Sequence, residues 1–168
     1  VMSKSLTELG YIEVEDIRND MNYPGPERFA RGPVAIIECL QDIPCNPCRD
    51  ACPHEAILLS GLTERPRLVE DRCTGCGLCI AACPGQAIFV VDRSGEDGLV
   101  TFPYEYLPLP VRGMAVTAVD RAGQPVCEGT VTRVVDTQKM NRTRLVTIRV
   151  PGDKVDEVRF IRIPGEGE

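Results

Sequence analysis

The 168-residue chain has no tryptophan, a single histidine, four tyrosines and four phenylalanines. With so few aromatics interleaved among its basic residues, it lacks the stacking platform that single-stranded nucleic acid requires. Basic charge is scarce too: 19 Lys and Arg stand against 25 Asp and Glu, a net charge of −6. The imbalance is local, because residues 1–98 carry 16 acidic and 9 basic side chains, whereas residues 99–168 carry 9 and 10. Counterion release needs clustered Lys and Arg, so the acidic half is expected to meet neither nucleic acid nor an anionic membrane. No apolar run approaches the roughly 18 residues that span a bilayer. The opening VMSKSLTELGYIEVEDI lacks the basic and apolar regions of a signal peptide, and the expected location is the cytoplasm. A nucleophile–base pair, a phosphate-cradling glycine loop and a dinucleotide fingerprint are also missing, which leaves no candidate for chemistry on a substrate.

Cysteine is what the chain has in excess: nine, of which eight fall between Cys39 and Cys83 and one, Cys127, stands apart. An odd count in a chain read as cytoplasmic, with two Cys-Pro pairs, fits metal better than a disulfide framework. The cluster is an internal repeat, CNPCRDACPHEAILL against CGLCIAACPGQAIFV. It superposes Cys45 on Cys76, Cys48 on Cys79, Cys52 on Cys83, Pro53 on Pro84, Ala56 on Ala87 and Ile57 on Ile88. Such self-similarity predicts two copies of one unit about a pseudo-two-fold axis.

The downstream copy reads Cys73-x2-Cys76-x2-Cys79-x3-Cys83-Pro84. In this run three thiolates wrap one [4Fe–4S] cluster and the fourth reaches another. Gly75 and Gly77 let backbone N–H groups approach the sulfurs, and Pro84 ends the short helix that carries Cys83 away. A zinc ribbon also uses paired Cys-x2-Cys elements, but four ligands leave no role for Cys79 or for a repeated Cys-Pro. The upstream copy departs from the grid. Asp42 stands where a cysteine is expected, and the spare one is Cys39, giving Cys39-x5-Cys45-x2-Cys48-x3-Cys52-Pro53. Either Cys39 ligates from an enlarged loop, or Asp42 does, or the site holds a three-iron cluster. Thiolate suits iron–sulfur chemistry better than carboxylate, so Cys39 is the expected ligand. Cluster one then takes Cys39, Cys45, Cys48 and Cys83, and cluster two takes Cys73, Cys76, Cys79 and Cys52. Pro44 and Pro47 deprive the first loop of N–H donors, so cluster one is expected to be the harder to reduce.

The remaining candidates are weak. His54 follows Cys52-Pro53 and reads as a surface residue beside a turn. Cys127 reads as a small buried apolar side chain, and Lys139, Arg142 and Arg144 as a solvated hairpin tip.

Composition divides the chain into an irregular arm at 1–32 with one short helix near Ser5–Leu9, the cysteine-rich unit at 33–92, a turn-rich linker at 93–110, and a module at 111–168. Within the last, MAVTAVD, VCEGTVTRVV, RLVTIRV and VRFIRI alternate with period two and are separated by turns, which predicts a small antiparallel β-barrel or sandwich. Every proposed ligand lies upstream of residue 99, so deleting residues 99–168 is expected to leave both clusters in place while weakening association with a partner.

Over residues 33–91 the chain resembles the two-[4Fe–4S] bacterial ferredoxins, with Cys39 as its departure from their pattern. The resemblance implies an α+β fold with a (βαβ)2 dicluster domain, and one-electron transfer. More loosely, ECLQDIPCNPCRDACPHEAI, the linker FPYEYLPLP and the appended β module look like the small iron–sulfur subunits of multi-subunit flavin-dependent dehydrogenases of the amino-acid type. That likeness implies a non-catalytic relay subunit within an oxidoreductase complex, partnered by a flavoprotein. A free-standing soluble ferredoxin is the alternative, and a nucleic-acid module with structural clusters a weaker one.

Overall fold

The computed structural model describes residues 4–165, so the first three residues of the expected arm and the last three of the expected β module lie outside the described residues. Strand β1 (Val34–Ile37) is four apolar residues, all buried. Its side chains leave the sheet on alternate faces. Val34 and Ile36 enter one hydrophobic core, and Ala35 and Ile37 enter a second. Strand β4 (Ile88–Asp92) pairs antiparallel with β1, Val34 opposite Val91 and Ile37 opposite Ile88, and divides its side chains the same way.

Between these strands run α4 (Pro47–Asp50), β2 (Ile57–Leu58), β3 (Arg67–Leu68) and α5 (Leu78–Ala82), with β2 and β3 forming a small ladder of their own. The order strand–helix–strand thus occurs twice. The repeat is visible in the backbone as well: Glu55 and Gln86, each three residues after an aligned cysteine, both adopt left-handed φ, 48° and 51°.

The arm is more ordered than its composition implied. Helix α1 (Lys4–Leu9) falls where one was expected, and α2 (Val14–Arg18) and α3 (Pro26–Ala30) are additional. Helix α2 starts where Asp16 accepts the Glu13 amide at 2.8 Å, and α3 starts on Pro26, whose missing N–H has no partner to lose in a first turn. Ile12, Ile17 and Phe29 bury on the first core, so the arm covers the sheet face opposite the cysteines.

Two expectations for the rest of the chain are corrected. Residues 97–104, read as linker, form strand β5 (Asp97–Tyr104), which pairs with β4 on one side and β8 (Arg144–Pro151) on the other. Pro103 argues against a central strand, since it cannot donate to a ladder. It is tolerated here because the pairing with β4 stops at Thr101. The second correction concerns the barrel. β6 (Ala115–Val119), β7 (Pro125–Val135) and β9 (Phe160–Arg162) complete one open sheet in the order β1-β4-β5-β8-β7-β6-β9, antiparallel throughout, with β1 and β9 at its edges. The C-terminal strands do not close on themselves because β5 attaches them to β4, and the shared core covers the face that closure would otherwise have to bury. The molecule is therefore a mixed α/β structure dominated by one antiparallel sheet. Among the described residues no helix is long and apolar enough to cross a membrane.

Candidate metal centres

Eight cysteines divide between two hollows on the second face of the sheet. Cys39, Cys45, Cys48 and Cys83 line one, walled by Ile43, Pro66 and Ile88. Cys52, Cys73, Cys76 and Cys79 line another, walled by Ala35, Ile57, Leu68 and Val90. The two short helices exchange cysteines between them. Helix α4 holds Cys48 at the first hollow and hands Cys52 to the second, while α5 holds Cys79 at the second and hands Cys83 to the first. At 1.5 Å rise per residue, four residues separate such a pair by about 6 Å along a helix, so the hollows are neighbours.

Backbone geometry sets the loops. Gly75 and Gly77 have φ of 67° and 81°. A Cβ on Gly75 would stand 2.6 Å from the Pro33 Cβ, and one on Gly77 would stand 2.9 Å from Leu145 Cδ1. Glycine is therefore favoured at both by conformation, and at Gly75 it is required by close packing against the Pro33 ring and backbone as well. The amides of Ala56 and Ala87 donate to Cys52 and Cys83, four residues back, each at 3.4 Å, and the Ala35 amide donates to Cys73 at the same distance.

Burial, reinforced by neighbouring sulfurs, pushes the Cys48 thiol up to about 11 and the Cys79 thiol up to about 12; burial also raises Cys39. Cys48 and Cys79 are therefore protonated thiols at neutral pH until a cation displaces the proton. The donor set fits iron–sulfur clusters: four sulfurs to a hollow, apolar walls, and N–H groups aimed at sulfur. Among the described residues no group of three or more His, Cys, Asp or Glu side chains is gathered for a single metal ion.

Other sequence candidates fall outside the two sets. Asp42 is exposed and lines neither hollow, whereas Cys39 lines the first. His54, read as a surface residue, is exposed and also borders the second hollow. Cys127 sits on β7, half-buried against the first core, with burial raising its pKa. At the β7–β8 hairpin, Arg144 pairs with Asp136 at 3.3 Å. Sequence reading missed two arginines. Arg28 donates to the carbonyl of Cys73 at 2.6 Å, and Arg65 to that of Cys39 at 3.2 Å. No periodicity or motif marks either of them, because a backbone carbonyl is a partner that every residue offers.

Residues 43–87 match the family model of the 4Fe-4S dicluster domain. That segment is a ferredoxin-type dicluster domain, and its cofactors are [4Fe–4S] clusters. Cys39 lies just upstream of the match. The chain is 41% identical over 56 residues to the ferredoxin-type protein NapF of Haemophilus influenzae, covering 32% of each chain. It is 35% identical over 54 residues to the polyferredoxin-like subunit of the aliphatic sulfonate oxidoreductase of Pyrococcus furiosus, covering 32% of this chain and 29% of that one. Over 49 residues it is 35% identical to a subunit of the Na(+)-translocating ferredoxin:NAD(+) oxidoreductase complex of Acetobacterium woodii, covering 29% and 14%. The chain thus matches at most about a third of the length of these relatives. No solved structure matches it.

Proposed function

We propose that this chain relays single electrons within an oxidoreductase complex, with cluster one on Cys39, Cys45, Cys48 and Cys83 and cluster two on Cys52, Cys73, Cys76 and Cys79. The observation that carries the reading is the pair of adjacent four-cysteine hollows, each completed by a cysteine from the other half. A [4Fe–4S] cluster supplies reversible one-electron transfer. The chain's own residues hold and shield it: β1 and β4 wall the hollows with Ala35, Val90 and Ile88, which limits water, and the alanine amides orient the sulfurs.

The partner in this reading is a flavoprotein dehydrogenase, which oxidises its substrate by two electrons and passes them on singly. Two relatives are named as subunits of oxidoreductases, and exposed apolar side chains stand beside both centres, Ile43 and Leu62 at the first and Leu78 at the second. Residues 33–92 are the redox unit, and the arm and the C-terminal strands support it and add surface for a neighbour.

Anaerobic purification from the native source tests this. A flavin-binding protein is expected to elute with the chain in fixed stoichiometry, and that protein's substrate should reduce the clusters, seen by electron paramagnetic resonance. A lone chain free of flavin would contradict the subunit reading and leave a free-standing ferredoxin.

A further inference from the structure

The same backbone atom of each centre's first cysteine is held by an arginine, but the two arginines differ in their counter-charge. Arg28, on α3, is 5% exposed. Its guanidinium donates only to carbonyl oxygens: Nε to Glu70 at 2.8 Å, Nη1 to Gly32 at 3.1 Å, and Nη2 to Pro33 at 2.8 Å and Cys73 at 2.6 Å. Glu70 turns its carboxylate to the Gly25 amide at 2.9 Å instead, and Asp71 pairs with Arg31. Among the described residues no carboxylate lies within ion-pair distance of Arg28. Arg65, on the carbonyl of Cys39, is bonded to the carboxylate of Asp20, whose side chain is 8% exposed. Asp20 and Arg28 both belong to the arm.

A buried charge without a partner is costly. We infer that the counter-charge of Arg28 is the thiolate-bound cluster at Cys73, and that the arm makes cluster two easier to reduce than cluster one. Reduction adds negative charge to a site that four thiolates already make negative. A fixed positive charge one residue's backbone away stabilises that product. At cluster one the same kind of arginine is neutralised by Asp20, so its field is largely cancelled. The arm sets the two potentials apart with one unpaired cation and one paired cation. This inference rests on the ligand assignment of the proposed function.

The test is a redox titration of the full-length, cluster-loaded protein followed by electron paramagnetic resonance. Cys39→Ala and Cys76→Ala first identify which signal belongs to which cluster. If neither variant removes a distinct signal, the ligand assignment itself fails. With the signals identified, Arg28→Gln should weaken reduction of cluster two about tenfold, 59 mV for one electron, and leave cluster one unmoved. Arg28→Lys, which keeps the charge but not the fork, should retain most of the potential. Asp20→Asn keeps a side-chain oxygen for the Asn22 amide and frees the Arg65 charge, so it should raise the potential of cluster one alone. Signals that stay in place in Asp20→Asn, or two clusters that shift equally in Arg28→Gln, would overturn the inference.

Discussion

Cys39 and Asp42 stand three residues apart, and only one of them faces a hollow. Cys39 shares its cavity with Cys45, Cys48 and Cys83. Cys39→Ala should therefore cost one cluster, about half of the iron, whereas Asp42→Ala should leave the iron content unchanged; the reverse pattern would move the ligand to Asp42. A second residue-scale prediction concerns Asp156, 2% exposed, which accepts from Arg18 at 3.0 Å and Tyr23 at 2.8 Å and pairs with Arg93. Burial alone would raise its carboxyl, but the hydrogen bonds and charges of Arg93, Tyr23 and Arg18 outweigh burial and hold it below the ordinary value. Its contribution to stability is thus present above the unfolded pKa of about 3.9 and is lost as pH falls through the lower folded value. Asp156→Asn should cost about 3–5 kcal/mol at pH 7, measured by urea unfolding, and the gap from the parent should narrow below about pH 4. A constant gap would contradict it. The cysteines were legible because a cluster demands thiolates at fixed spacing. Asp156 and Arg28 were not, because their partners are distant side chains or bare backbone.

Elements are held here as much by single residues as by periodicity. The loop that leads into α5 needs Gly75, where a side chain would meet both a left-handed backbone, costing about 1–2 kcal/mol, and the Pro33 ring, an overpacking cost of about 1–3 kcal/mol. Gly85, in the turn after α5, has open space around it and no positive φ. Gly75→Ala should lower the denaturation midpoint and shed iron from cluster two first, while Gly85→Ala should behave as the parent, and equal behaviour of the two variants would refute the packing argument. Strands β6 to β9 were readable from their alternation of Val, Ile and Thr. β5 was not, since Gly98 and Pro103 interrupt it. Nor were α2 and α3, five residues each, because one turn of helix carries no 3.6-residue stripe to recognise.

At the scale of the whole molecule, the redox unit and the C-terminal strands share a sheet and a set of buried ions. Glu38, next to Cys39, lies between Arg121 at 2.5 Å and Arg159 at 2.6 Å, and Leu145 packs in the same core as Cys48 and Cys79. Composition alone marked residues 111–168 as a detachable module, because a shift from cysteine-rich to Val-rich sequence looks like a boundary and cross-sheet pairing leaves no local trace. A chain ending at residue 98 would strip Glu38 of both arginines, β4 of its outer neighbour and the second core of Leu145. It should fail to retain both clusters, read from iron content and visible absorbance, and a truncated chain at full occupancy would contradict the shared-core account.

The central claim is that eight of the nine cysteines hold two [4Fe–4S] clusters, four in each hollow. Its most direct test is the iron and acid-labile sulfide content of the full chain purified without oxygen, counted against protein. Two clusters require about eight irons and eight sulfides per chain. A count near four of each, or stoichiometric zinc in their place, would contradict the account.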